Sequence, residues 1–262
     1  GTFGSGLKHA GFDGIIFVGK SKKPVYLFID QGEAELRDAS QLWGRDTFEV
    51  DEMLKTVHGN QIVTASIGPA GERLVRYAAI MNDGVDGRAA GRTGVGAVMG
   101  SKLLKAIAVK GNLPVPIADQ VALDGLVRQW AGTISKNTSW AKDGTANGIE
   151  GSEAIGNLPI KNWSQGNFSG ASTISGQYMS KTILTKRYYC DKCVIGCGRT
   201  VHVKEGKFQT VEGGGPEYET VGLMGSNCLI DNIEAIAKAT ELCNRWGLDT
   251  ISTGAAIAFA ME

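Results

Sequence analysis

No stretch of the 262 residues approaches the 18 consecutive apolar residues that a membrane-spanning helix needs, so a helical membrane span is excluded. Charge of one sign is also missing. Lys and Arg total 27, Asp and Glu total 27, and the formal net charge is zero. That balance argues against a nucleic-acid binder and against an acidic or basic tail. Aromatic residues make up only 7%. Cysteine is scarce, five in all and an odd number, which rules out a disulfide framework. No internal repeat or low-complexity segment is present. What is abundant is glycine, 37 of 262, about 14% and roughly twice the ordinary share. Hydrophobic residues at 42% suit a globular chain with a large core.

Apolar Ile15–Val18 between Gly14 and Gly19 predicts a buried strand. Val25–Ile29, a turn at Asp30-Gln31-Gly32 and alternating Glu33–Arg37 predict a hairpin with one wet face. A short amphipathic helix is expected over 48–57, with strands over 61–67 and 103–109. Pro114 and Pro116 mark a boundary, since each lacks a backbone donor and disfavours helix before it. A helix over 119–135 follows, with Val121, Leu126, Val127 and Trp130 as its apolar positions. Residues 135–176, rich in Ser, Thr, Asn and Gly, read as a long surface or pocket-lining loop with short helical pieces. The clearest helix is 231–246, with Asp231 and Glu234 as a capping box and Gly247 at its stop; Ser252 is the expected cap of the next helix. The chain opens at Gly1 in a glycine-rich run and closes in helix-forming residues, and it reads as an internal piece of a longer protein.

Three of the five cysteines fall within eight residues. Cys190, Cys193 and Cys197 have the spacing Cys-x2-Cys-x3-Cys, which lets three thiolates wrap one metal site. An iron–sulfur cluster and a structural zinc both want four ligands, and both readings stand at this point. Cys228, Cys243 and His202 are the fourth-ligand candidates inside the chain, though each also suits an ordinary core or surface position; otherwise the fourth ligand lies beyond residue 262. The densest glycine run is Arg88 to Lys102. With Gly91, Gly94, Gly96 and Gly100 between basic residues, it can crowd backbone N–H groups around an anion while arginines clamp a phosphate. It lacks the order of a P-loop and the clean context of a dinucleotide fingerprint. Glycines needed only for tight turns are the plainer reading.

Taken in order, the Arg88–Lys102 run, Cys190–Arg199, Gly215-Pro216-Glu217-Tyr218-Glu219-Thr220 and Gly247-Leu248-Asp249-Thr250-Ile251-Ser252-Thr253-Gly254 resemble the tungsten-containing aldehyde:ferredoxin oxidoreductases. The opening Gly4–Asp13 and the hairpin Lys23–Asp38 are similar too; the likeness is weakest over 135–176. The resemblance implies an α+β fold: a β-sheet base domain over residues 1–112, incomplete at its start, then the beginning of a mainly helical domain over 113–262. It also implies tungsten, or rarely molybdenum, held by two pterins next to a [4Fe–4S] cluster. Cys190, Cys193 and Cys197 match three cluster ligands. Arg88, Ala89, Gly91 and Arg92 match a loop at the pterin and its phosphate. Asn244, Gly247, Leu248 and Asp249 match a pterin motif written Asp-x-x-Gly-Leu-Asp, with an amide in place of its first carboxylate.

Glu219 matches a carboxylate near the tungsten, and Glu217 is the less favoured choice. Lys238-Ala239-Thr240-Glu241 lacks the Glu-x-x-His that binds an iron between subunits in some members, so no bridging iron is expected. His9, His58 and His202 match no catalytic position. The glycines of 88–102, 213–215 and 247–254 are expected where backbone lies close to pterin. The implied activity is oxidation of a small aldehyde to a carboxylic acid, with electrons passing to ferredoxin or another carrier, and with no nucleic-acid or membrane partner. Reduction of an aromatic acyl-CoA by a related tungsten enzyme and a zinc-stapled, non-enzymatic binding domain are the alternatives. Free thiolates suit a reducing cytoplasm, that of an anaerobic microbe. Oligomeric state is left open.

Overall fold

The computed structural model describes residues 1–136 and 138–262. Its N-terminal part is a six-stranded mixed sheet: β1 (Val25–Asp30), β2 (Glu33–Asp38), β3 (Val63–Ser66), β4 (Ile80–Asn82), β5 (Arg88–Ala90) and β6 (Leu104–Lys110). The strand order is β2-β1-β6-β3-β4-β5. Only β1 and β6 run parallel; the other neighbours are antiparallel. The hairpin stands as expected. Its turn places Gln31 at φ 51° and Gly32 at φ 89°, the left-handed pair that matches strand twist.

Alternation on the central strands sets two layers. Tyr26, Ala106 and Ala108 face the helix Thr47–His58, with Val50, Leu54 and Ile62 completing that core. Leu27, Ile29 and Val109 face the other way, onto Leu7 and Ala10 at the helix Phe3–His9. The Thr47–His58 helix starts at Asp46, whose carboxylate accepts the N–H groups of Phe48 and Glu49 while Glu49 reaches back to the Asp46 N–H.

After residue 111 the chain is mainly helical, with a small sheet of β7 (Leu184–Tyr188), β8 (Gly198–Val201) and β9 (Gly213–Gly214). A second core gathers Ile149, Leu158, Ile160, Phe168, Ile174, Met179, Val201, Met224, Ile233, Ile236 and Cys243. The six-stranded sheet followed by helices is the α+β architecture expected.

Several local expectations are corrected. Ile15–Val18 pairs with no strand: Ile15 and Phe17 pack inward, while Ile16 and Val18 are 90% and 92% exposed. The 135–176 stretch carries the short helical pieces expected and much exposed chain, but it also supplies part of the second core. Its few apolar residues are far apart in sequence yet converge in the second core, so no periodicity betrays them. Asn137, within that stretch, lies outside the described residues. The helix Gln120–Lys136 forms as predicted, but Val121, Leu126, Val127 and Trp130 are all more exposed than buried. Asn232, not Asp231, caps the helix Ile233–Trp246, its side chain accepting the Ala235 N–H at 3.0 Å. Asp249, not Ser252, caps the helix Thr250–Met261. In both places the better acceptor stands one to three residues from the expected cap.

Candidate active site

A cavity of about 510 Å³ opens where the two parts meet. Arg88, Ala89, Gly91 and Arg92 line one wall, and Asn244, Leu248 and Asp249 line another. Gly215, Glu217, Glu219 and Thr220 close a third. Segments far apart in sequence, Arg88–Arg92 and Asn244–Asp249 among them, thus share one hollow.

The walls are fixed by backbone bonds between the parts. The Ala79 N–H donates to the Gly247 carbonyl at 2.8 Å, and the Asp249 N–H donates to the Tyr77 carbonyl at 3.1 Å. Thr47 Oγ1 donates to the Asn244 carbonyl at 2.7 Å. Arg245 pairs with Asp46 at 2.9 Å. Gly247 itself stands behind the wall rather than on it. It ends the preceding helix in the left-handed conformation, φ 70°, and turns Leu248 and Asp249 toward the cavity.

The Arg88–Lys102 segment is a strand, a turn and a helix (Val95–Ser101) rather than one open loop. Of its glycines only Gly91 reaches the cavity, where a Cβ would sit 3.2 Å from Asp249 Oδ1. At Gly87, with φ 58°, a Cβ would collide with the Asn244 amide. Gly94, Gly96 and Gly100 instead let backbone pack on Arg76, Ala79 and Gly71. Likewise Gly213 and Gly214 lie on Val85 and Asp86, and Gly254 on Leu223. Much of the glycine excess therefore serves backbone-on-backbone packing, a correction to the expectation that it tracks a cofactor.

The two carboxylates of the third wall differ. Glu217 is spent: Oε1 accepts from Arg88 Nη1 at 2.7 Å and Oε2 from Thr145 Oγ1 at 2.5 Å. Burial works against the Arg88 charge, but the pull of Glu217 and its hydrogen bond prevail and raise its pKa. Arg88 also lies 4.9 Å from the Tyr188 ring. Glu219 is exposed to the cavity and makes no hydrogen bond or ion pair among the described residues. It sits in the turn Tyr218–Thr220, directly before a π-helical turn, Val221–Gly225. Such turns collect at functional sites.

Cys190, Cys193 and Cys197 lie on the half-buried loop between β7 and β8. The Cys193 N–H donates to the Cys190 carbonyl at 3.0 Å, and the Ile195 N–H points to Cys193 Sγ at 3.4 Å. Burial raises the Cys197 thiol pKa, and the nearby Glu217 adds to it. Among the described residues no three Cys, His, Asp or Glu side chains are gathered closely enough to hold a metal ion as they stand. The other candidates point elsewhere. Cys228 Sγ faces the Leu223 and Gly254 carbonyls, and Cys243 is buried in the second core. His9 Nδ1 meets the Leu113 carbonyl at 2.8 Å, and His58 stacks on Phe28 and meets the Tyr26 hydroxyl. Glu241 is held by Lys238, Arg245 and the Val211 N–H.

The residues fit an anionic, hydrogen-bonding cofactor. Arg88 Nε is buried without a hydrogen-bond partner, and at Gly91, on the cavity wall, a Cβ would crowd Asp249 Oδ1 at 3.2 Å. A row of soft thiolates on one loop fits an iron–sulfur centre. Sequence reasoning missed Thr220, Thr240 and Thr250, which also line the cavity. Thr240 carried one signal, standing one helical turn before Asn244.

The arrangement defines a candidate site built across two parts of one chain. Comparison with known proteins makes the assignment. Residues 1–111 match the model of the aldehyde ferredoxin oxidoreductase N-terminal domain, and residues 126–262 match that of the same enzyme's domains 2 and 3. The chain belongs to the aldehyde ferredoxin oxidoreductase family. Its relatives include the tungsten-containing aldehyde ferredoxin oxidoreductases of Pyrococcus furiosus and Thermococcus kodakarensis. Each is 44% identical over the whole of this chain and 43% of its own length. An aliphatic sulfonate oxidoreductase, WOR-like subunit, of Pyrococcus furiosus is 35% identical over 98% of this chain. Among solved structures, the active-site complex BamBC of benzoyl-coenzyme A reductase, in complex with 1,5-dienoyl-CoA, superposes with TM-score 0.79. It is 25% identical over 99% of this chain and 41% of that one. The chain thus spans less than half the length of these relatives. No helix among the described residues is long and apolar enough to cross a membrane.

Proposed function

We propose that the protein oxidises a small aldehyde to the carboxylic acid, aldehyde plus water giving acid, two electrons and two protons. The observation that carries this reading is the cavity, where the arginine strand, the Gly-Leu-Asp turn and an unpartnered carboxylate converge. Four relatives named for this activity, at 42–44% identity, support it over other chemistries. When bound, a tungsten–bispterin centre would supply the two-electron acceptor, and a [4Fe–4S] cluster the one-electron exit to ferredoxin.

The chain's own residues then have distinct tasks. Arg92 brings positive charge to the pterin phosphate, Arg88 offers its unpartnered Nε–H as a donor, and Ala89 and Gly91 let backbone approach. The Asn244 amide, Leu248 and Asp249 edge the pterin, with Gly247 setting their direction. Cys190, Cys193 and Cys197 hold the cluster, with a fourth ligand from outside residues 1–262. Glu219 takes the proton of the attacking water, since among the described residues none engages its carboxylate. Residues 1–112 and 113–262 act as two units whose seam is the site. All five cysteines are free, which suits a reducing cytoplasm.

Reduction of an aromatic acyl-CoA is the second reading, favoured by the BamBC superposition. The test is metal analysis of the full-length, anaerobically purified protein, followed by dye reduction with an aldehyde panel. Tungsten with about four irons per chain and aldehyde-dependent turnover are expected. Zinc alone would sink the proposal, and turnover only with aromatic acyl-CoA would move it to the second reading. Glu219→Gln should lower turnover by about 10²-fold or more with tungsten and pterin content unchanged.

A further inference from the structure

Behind the cysteine loop lies an arginine that makes no ion pair, with Glu217 and Asp143 acting on it only from longer range. Arg199, on β8, is 2% exposed, and none of its nitrogens lies within ion-pair distance of a carboxylate among the described residues. Every hydrogen bond it makes goes to a neutral backbone carbonyl. Nη2 donates to Gly196 at 2.7 Å and Ala141 at 3.4 Å, Nη1 to Lys142 at 2.7 Å, and Nε to Gly198 at 2.9 Å and Cys197 at 3.3 Å. Three of these carbonyls belong to the third cysteine and the residues on either side of it, Gly196, Cys197 and Gly198. Arg187 grips the same loop from outside, at the Ile195 and Gly196 carbonyls.

A buried charge without a counter-ion is costly, and proteins keep one chiefly where a partner charge arrives. The neighbouring arginine of the site cannot serve here, because Glu217 already neutralises Arg88. Three thiolates on an iron–sulfur centre would bring net negative charge to the loop that Arg199 holds. We propose that Arg199 is a positioning residue that supplies the built-in counter-charge of the cysteine loop. It fixes the backbone of 196–198 for cluster ligation and stabilises the cluster's reduced, more negative form. This rests on the cluster reading of Cys190, Cys193 and Cys197.

The test separates charge from framework with two variants of the full-length protein, purified anaerobically: Arg199→Lys, which keeps the charge but not the five-carbonyl fork, and Arg199→Gln, which keeps donors but not the charge. Iron per chain and an EPR-monitored redox titration are the readouts. Arg199→Gln should shift the cluster potential negative by about 59 mV or more, a tenfold change in the reduced-to-oxidised ratio for one electron. Arg199→Lys should keep a near-wild-type potential while losing iron faster to a chelator. Iron-loaded Arg199→Gln at the wild-type potential overturns the charge role. If Arg199→Gln does not fold or load, an Arg199→Lys potential displaced as far as tenfold overturns it. A wild-type protein with no iron or EPR signal overturns the cluster reading instead, so the two failures are distinguishable.

Discussion

Glu217 and Glu219 are separated by one residue and meet different surroundings. An arginine and a threonine saturate the first, and the cavity alone faces the second. The residue type cannot distinguish these roles; only the partners that tertiary folding delivers do. Cys243 shows the same dependence. Burial pushes its thiol from 9.0 up to about 11. The folded state therefore keeps the proton after the unfolded chain has lost it. That raises stability below pH ~9 and forfeits it as pH climbs toward 11, by at most ~3 kcal/mol. Melting curves of the wild type and Cys243→Ala should converge between pH 9 and 11, with the wild type ahead at pH 7–8. A gap that stays constant over that range would remove the thiol as the cause.

At the scale of elements, Asp249 carries two jobs on one carboxylate. Oδ2 caps the Thr250–Met261 helix, accepting the Ser252 N–H at 2.8 Å, and Oδ1 faces Gly91 across the cavity. Asp249→Ala should cost about 1 kcal/mol through the lost cap. Asp249→Asn keeps a good cap, so melting should recover while pterin content, assayed after release, stays low. Equal pterin in the Asn variant and the wild type would show that the negative charge is not used. The hairpin, the Thr47–His58 helix and the Ile233–Trp246 helix were readable from alternation, caps and helical spacing. Ile15–Val18 was not, because a four-residue apolar run looks the same whether it pairs in a sheet or lies over a core in single extended chain. In the 135–176 stretch the short helical pieces were readable but the core was not, because its core residues are separated by polar turns and make contact only in three dimensions.

At the scale of the whole chain, the site depends on how two cores are seated together. Thr47 Oγ1 and the Asn244 carbonyl form one buried bond across that seam. Thr47→Val should cost about 1 kcal/mol, a melting shift of about 2–4 °C. It should also speed loss of tungsten on dialysis, because Asn244 edges the cavity. Arg245→Gln, at the half-buried Asp46 and Glu241 pair of the same seam, should cost about 1 kcal/mol and leave retention unchanged. Equal tungsten loss in both variants would argue that the seam does not govern the cavity.

Chain order and side-chain chemistry alone marked the family's motifs: three thiolates at fixed spacing, a glycine–arginine strand, and a Gly-Leu-Asp turn after a helix. These are local, since ligand spacing and caps depend on a few neighbouring residues. Tertiary structure alone decided that Glu217 is spent and Glu219 free. It alone put three threonines on the cavity wall and turned most motif glycines to backbone packing. It also left Arg199 buried among carbonyls behind the cysteines. Each of these depends on which distant segment supplies the partner, and that is settled only when the two cores close on each other.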